Sequence, residues 1–286
     1  MPKLTGEISA QFAVRSGLTQ LIHKYHASPL KIAKTFRYEN ETFLADANAA
    51  PMDQLGVYMM DCSPGLMAGD HYDISVRLEE GARVFLTNQS FTKVHPSLGM
   101  EGSTQRQTLR LEAAALLEYI PEPLMLYKDA NLFAETEVHL AKGSALIFSD
   151  VICPGRTQRG EIFQYSRYAN RMKVWYEGEL IFYQNQRIEP AAMLLTSPGC
   201  WENETHMGNL FIFSDRLQQR HLEAVMECLD HMNGLAVRVG ASLTYKHGLV
   251  INVMGRHAWE IQSALTQAWH QIRRSLWELT PLLVNK

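Results

Sequence analysis

The sequence has no P-loop ending in GKS or GKT, no GxGxxG between strand and helix, no GxSxG elbow and no HExxH. Their absence removes the local signatures of nucleotide cradles, elbow-serine hydrolases and helical zinc peptidases. The four cysteines, Cys62, Cys153, Cys200 and Cys228, lie far apart and form no CxxC pair, so neither a zinc site nor a disulfide framework is signalled, and a reducing compartment is the simpler assumption. Charge of one sign is also lacking. Against 27 basic side chains stand 30 acidic ones, a formal charge of −3 that leaves no electrostatic footprint for nucleic acid or an anionic membrane. No stretch of about 18 apolar residues is present to cross a bilayer, and the N-terminus has no basic segment followed by an apolar run and a cleavage site. A cytoplasmic location is expected.

A chain of 286 residues that is 46% hydrophobic can bury a sizeable core. We read it as a single domain over 1–286, with a β-rich body to about residue 200 and a mixed C-terminal part from about 201. Residues 9–45 carry β-like runs punctuated by Gly17 and Ser28-Pro29. His23 and His26 fall on opposite faces of such a strand, so they read as surface histidines. From Asp73 the chain repeats one template, with Val76 to Phe85, Leu109 to Glu118 and Val138 to Ile147 each reading as strand, small-residue turn, strand. The period of about 30 residues marks units that bury their apolar faces on their neighbours, and it predicts an elongated, mainly β stack of β-helical type. Val174 to Phe182 reads as a hairpin around Glu177-Gly178. Two helices are expected near the C-terminus. One runs from Arg216 to Met232 with Ser214 as N-cap; the other begins near His257, carries an apolar stripe through Ile261, Leu265, Ala268, Trp269, Ile272, Leu276 and Leu279, and ends at Pro281. That stripe either docks on the protein's own core or offers Trp269 to a partner.

Special residues concentrate between Ser63 and His95. Gly65 and Gly69 bracket a turn before Asp70, a hairpin follows, and Gln89, Thr92 and Lys93 stand where a strand ends. Asp70 reads either as a turn cap or as a polar group lining an internal passage. Glu118, inside the apolar run Leu116 to Ile120, either faces solvent or is an inward carboxylate that needs a partner. Asp150 and Arg156 flank Cys153-Pro154-Gly155, where an ion pair across the turn is the ordinary structural reading; Cys153 itself reads as a small buried thiol. Paired carboxylates from separate loops, such as Asp70 with Glu118 or Asp150, keep a β-rich hydrolase or isomerase open as an alternative.

The run Pro64-Gly65-Leu66-Met67-Ala68-Gly69-Asp70, the turn Gly81-Ala82 and Thr87-Asn88-Gln89-Ser90 with Thr92-Lys93-Val94 resemble the urease accessory protein UreD (UreH) family, with Ala68 and Asn88 departing from its usual Gly and Thr. Leu117 to Pro123 with Asp129-Ala130, Ser149 to Arg156, Gly160-Glu161, and Ala268-Trp269 with Arg273 follow in the family's order. The resemblance implies a non-enzymatic maturation scaffold with no stably bound cofactor and no firmly assigned metal site. It implies binding to UreF, to the GTPase UreG and to the urease apoprotein, and transient passage of nickel, for which Asp70, Glu118 and Asp150 are the lining candidates. Gly65, Gly69, Gln89, Thr92, Lys93, Arg156, Trp269 and Arg273 are candidates for partner binding or for a structural motif. The two C-terminal helices are expected to contribute to the UreF contact, and a dimer formed through UreF is one arrangement the resemblance leaves open.

Overall fold

A computed structural model describes residues 5–40, 52–99, 101–232 and 234–284. The part of the expected N-terminal β region that falls on 41–45 lies outside these. Three strands open the described chain, β1 (Thr5–Arg15), β2 (Leu18–Ala27) and β3 (Leu30–Asn40). The body follows as β4 (Met52–Asp61), β5 (His71–Leu78), β6 (Arg83–Asn88), β7 (Thr92–Val94), β8 (Ser103–Leu111), β9 (Leu116–Tyr119), β10 (Leu124–Leu126), β11 (Asn131–Leu140), β12 (Ala145–Cys153), β13 (Arg167–Tyr176) and β14 (Glu179–Ile188). The C-terminal part adds β15 (His206–Ser214), α1 (Gln219–Asp230), β16 (Val237–Leu243), β17 (Gly248–Gly255) and α2 (Ala258–Trp277).

The strands form two sheets. One runs β14-β13-β11-β8-β5-β1-β2; the other runs β16-β17-β15-β12-β9-β6-β4-β3, with short β7 and β10 beside it. Within the body the pairings β1-β5-β8-β11-β13 and β4-β6-β9-β12 are all parallel. Each repeat therefore gives one strand to each sheet, which is a β-helix, and the expected mainly β stack with two C-terminal helices is what the chain forms. The small-residue turns at Gly81, Ala113-Ala114 and Gly143 are accordingly arcs between sheets and not hairpins, because the strands on either side stack on the next coil instead of on each other. Val76, Leu109, Val138 and Val174 sit in one ladder, and Phe12, Leu78, Leu111 and Leu140 in the next. Alternation sends these side chains into the space between the sheets while Arg77, Arg110 and Lys173 point to solvent.

Two cores result. The larger lies between the sheets and the smaller lies between the outer face of the ten-stranded sheet and the helices, where Phe85, Ile147, Leu210 and Ile212 meet Ile261, Leu265, Trp269 and Ile272. The α2 stripe is thus spent on the protein's own core. Trp269 is only 3% exposed and its ring stacks on Phe85 at 5.6 Å, which corrects the reading of Trp269 as an exposed anchor. Both helix boundaries also shift. Ser214 ends β15, and the α1 cap is Gln218, in a box with His221, because the chain needs 215–217 to turn off the sheet. α2 stops at Trp277, where Glu278 takes a left-handed conformation, three residues ahead of Pro281.

Candidate functional site

At the end of the β-helix where β4, β6, β9 and β12 finish, the inward-facing rows change character. Ile74 is followed in its ladder by Gln107 and Thr136, and Tyr72 by Gln105, Ala134 and Asn170. Across the gap the other sheet contributes Tyr119 and Asp150. Polar side chains pack less completely than the aliphatic ladders beside them, and a cavity of about 110 Å³ remains between the sheets, room for several waters. Its polar groups are organised. Tyr119 Oη donates to Gln107 Oε1 at 2.8 Å, and Gln107 Nε2 donates to Thr136 Oγ1 at 3.1 Å. Asn170 Nδ2 donates to Asp150 Oδ2 at 2.8 Å, with Tyr168 Oη at 3.5 Å from the same oxygen. Burial, the largest cause, lifts the Asp150 carboxyl to about 6 despite those two donors. At the mouth Asp61 is exposed; it accepts from Tyr72 Oη at 2.8 Å and from the Ser63 backbone and hydroxyl. Burial raises the phenols of Tyr72, Tyr119 and Tyr168, so all three stay protonated donors.

The three nominated carboxylates separate. Asp150 lines the cavity. Asp70 is buried beside its mouth and caps the glycine turn, accepting from Met67 N at 2.8 Å; burial raises its carboxyl, the Met67 bond offsets this in part, and Asp61 adds a further rise. Glu118 is on the opposite face of the sheet. Its neighbours Leu117 and Tyr119 point inward, so alternation turns it toward α2, where it accepts from Arg273 Nη1 and from Gln54 Nε2 at 2.9 Å. Glu118 and Arg273 are each 0% exposed, and Arg273 also donates to Thr280 O at 2.9 Å.

The other nominated residues divide between the cavity rim and the frame. Gln89 and Thr92 line the cavity; Thr92 Oγ1 accepts from Asn88 Nδ2, while the Thr92 amide donates to Pro123 O. Lys93 is exposed, and its carbonyl accepts from Leu66 N at 2.9 Å. Gly65 stands against that carbonyl at φ +134, where a Cβ would lie 2.3 Å from Lys93 O; Gly69, at φ +78, faces open space. Arg156 pairs with Glu161 through Nε and Nη2 and lies 4.3 Å over the Tyr127 ring. The expected Asp150 to Arg156 pair is therefore not formed. Asp150 points into the β-helix and Arg156, beyond the turn, lies outside it. Cys153 is buried, and desolvation pushes its thiol up to about 12.

Gln105, Gln107, Asn170, Asp61 and Tyr72 were not singled out in the sequence. A signal exists for the glutamines, since both lie in phase with Leu109 and Leu111 on the inward side of β8. Among the described residues no three His, Cys, Asp or Glu side chains come together as a metal cluster. What the cavity lining offers a cation is the carboxylates of Asp150, Glu122 and, at the mouth, Asp61, with amide and hydroxyl oxygens between them.

The family model described as "UreD urease accessory protein" matches residues 4–285. The chain is 33% identical over 254 residues to a urease accessory protein UreD of Acetivibrio thermocellus, covering 88% of this chain and 91% of the relative. It is 31% identical over 234 residues to a UreD of Lysinibacillus sphaericus, covering 82% and 83%. A urease accessory protein UreH of Helicobacter hepaticus is 28% identical over 199 residues, covering 69% of this chain and 75% of that one.

Proposed function

The chain belongs to the UreD family of urease accessory proteins, and on that premise we propose that it is a non-enzymatic scaffold that admits nickel to its interior on the way to the urease apoprotein. The observation that carries this reading is the cavity itself, a chamber where buried polar side chains interrupt the otherwise apolar ladders of the β-helix. Burying Asp150, Gln107 and Asn170 there costs stability that a leucine ladder would not. A divalent ion moving through the interior would gain from the Asp150 carboxylate, and the single carboxylates would hold it weakly enough for release. Nucleotide hydrolysis belongs to the GTPase partner UreG in this scheme, which reaches this chain through UreF. Glu118 and Asp70 serve as frame, not as lining.

The helical layer supplies the UreF contact in this reading, through its outer face, since its apolar stripe is buried. Removing everything after Pro198 would strip β15 from β12, so a point change is the cleaner probe of that contact. The test of the whole scheme is co-purification of this chain with UreF, UreG and the urease subunits from one cell. Association with UreF and with urease is expected; failure of the unmodified, folded chain to associate with any of them would overturn the proposal.

A further inference from the structure

The β-helix has a short third wall. β7 and β10 pair in parallel from Thr92 opposite Leu124 to Val94 opposite Leu126, Leu66 bridges to Val94, and Leu124 and Met125 lie beside Ile152 and Cys153. Leu66, Val94 and Leu126 are buried in the core between the sheets, so alternation turns the residues next to them outward. One outward row reads His95, Tyr127, Arg156. The imidazole meets the phenol ring edge to face at 5.0 Å, and the guanidinium lies 4.3 Å from the centre of the same ring. Both ends of the row are held: His95 Nε2 donates to Pro64 O at 3.1 Å, and Arg156 Nε donates to Glu161 Oε2 at 2.8 Å. Met67, next after Leu66 on the neighbouring coil, is 43% exposed.

Around this stack the wall is basic. Lys93, Lys128 and Arg159 are exposed and form no salt bridge among the described residues. The acids on the same stretch of these coils are Asp129 and Glu161. Glu161 sits in the Arg156 fork; that fork chiefly, with the Lys128 amide and Arg159 adding to it, holds the carboxyl below its ordinary value. None of these residues takes part in the core under the helices.

We propose that this wall is a docking surface for a carboxylate-rich segment of a protein partner, separate from the helical layer assigned to UreF and independent of the nickel route. Glu161 shows the fit, since it is a carboxylate already seated in a guanidinium fork on this wall. Further carboxylates of an incoming segment meet Lys93, Lys128 and Arg159, whose side chains are free to turn onto them. The held Tyr127 ring, the half-buried Arg156 and Met67 offer rigid area to the segment's apolar atoms, and Tyr and Arg are the residues on which interface energy concentrates. A nucleic acid fits less well. The chain as a whole carries a formal charge of −3, so no wide basic field surrounds the patch.

Fluorescence anisotropy of a labelled oligoglutamate peptide, titrated with the full chain at low and at physiological salt, tests the surface. Binding that weakens with salt is expected. Reversing Lys93→Glu, Lys128→Glu and Arg159→Glu together should weaken it about tenfold or more. Lys24→Glu, Lys31→Glu and Lys34→Glu together, an equal change of charge at exposed positions on β2 and β3, should leave it within about twofold. Tyr127→Phe keeps the ring and should bind as the wild type does. Circular dichroism melts verify that each variant is folded. No binding by the unmodified chain overturns the proposal, as does unchanged affinity in the first triple variant. Equal loss in both triple variants also overturns it, because net charge alone would then account for binding. Tighter binding of an oligonucleotide of the same charge, abolished by the first three reversals, overturns the protein segment as occupant and gives the wall to nucleic acid.

Discussion

Replacing Arg273 with methionine should cost about 3 to 5 kcal/mol, because it leaves the Glu118 carboxylate buried with its main counter-charge gone. The structure sets this scale. Both groups have no exposed surface, Glu118 Oε1 has no hydrogen-bond partner among the described residues, and after the change Oε2 keeps the bond from Gln54 Nε2 at 2.9 Å. Glu118→Met should cost a comparable amount, because it removes the buried carboxylate facing the guanidinium, which also donates to Gln54 Oε1 and Thr280 O. The double variant replaces an ion pair by two apolar chains of similar length between a sheet and a helix, an exchange that is often close to neutral. It should therefore lose far less than the sum, with a coupling of about 2 kcal/mol or more. Urea unfolding at fixed pH measures all four proteins, and fluorescence of Trp269, whose ring lies 5.9 Å from Arg273, reports release of α2. Single losses that add to within about 0.5 kcal/mol would refute the view that this pair anchors α2 as a unit.

Three further outcomes follow from the same geometry. Asp150→Asn should stabilise the protein at pH 7 by about 3 kcal/mol and change little near pH 4: burial holds the folded carboxyl at about 6 against 3.8 for the free group, so wild-type stability falls as pH rises through that window and the amide does not share the fall, which paired pH-dependent unfolding curves would show. Gly65→Ala should cost about 3 kcal/mol or more, since it adds left-handed strain to an overlap with the Lys93 carbonyl, whereas Gly69→Ala, facing open space, should cost only the strain, about 1 kcal/mol; thermal melts compare the two. Trp259→Ala, at a ring 60% exposed on the first turn of α2, should weaken UreF binding by about 1 kcal/mol or more in a titration while leaving the melting temperature unchanged.

Much of the frame was legible in the chain. The template shared by Val76, Leu109 and Val138 is the register of the β-helix itself, because each repeat has the same length of arc and must present the same apolar phase to its neighbour. Period alone did not distinguish an arc from a hairpin, since both need a small-residue turn between alternating strands; what decides is whether the strands pair with each other or with the next coil. The glycine turn was found, but its meaning depends on a carbonyl about thirty positions away. The carboxylates show the limit most clearly. Asp150 and Glu118 both sit in apolar strands, yet one alternates in phase with Phe148 and the other in phase with Phe85 on the sheet's far side, a difference that appears only once a second core is known to cover that face. Gln105 and Gln107 escaped because glutamine in a strand usually marks the wet side, and here it marks the wet interior.

The most direct test of the central claim is nickel content of urease matured by cells carrying the Asp150→Asn variant in place of this chain, scored alongside recovery of the complex. The amide keeps the size of the side chain and a hydrogen-bonding group for Asn170 while removing the interior charge. Intact complexes with nickel-poor urease are the predicted result; urease filled to the wild-type level would contradict a route through this cavity.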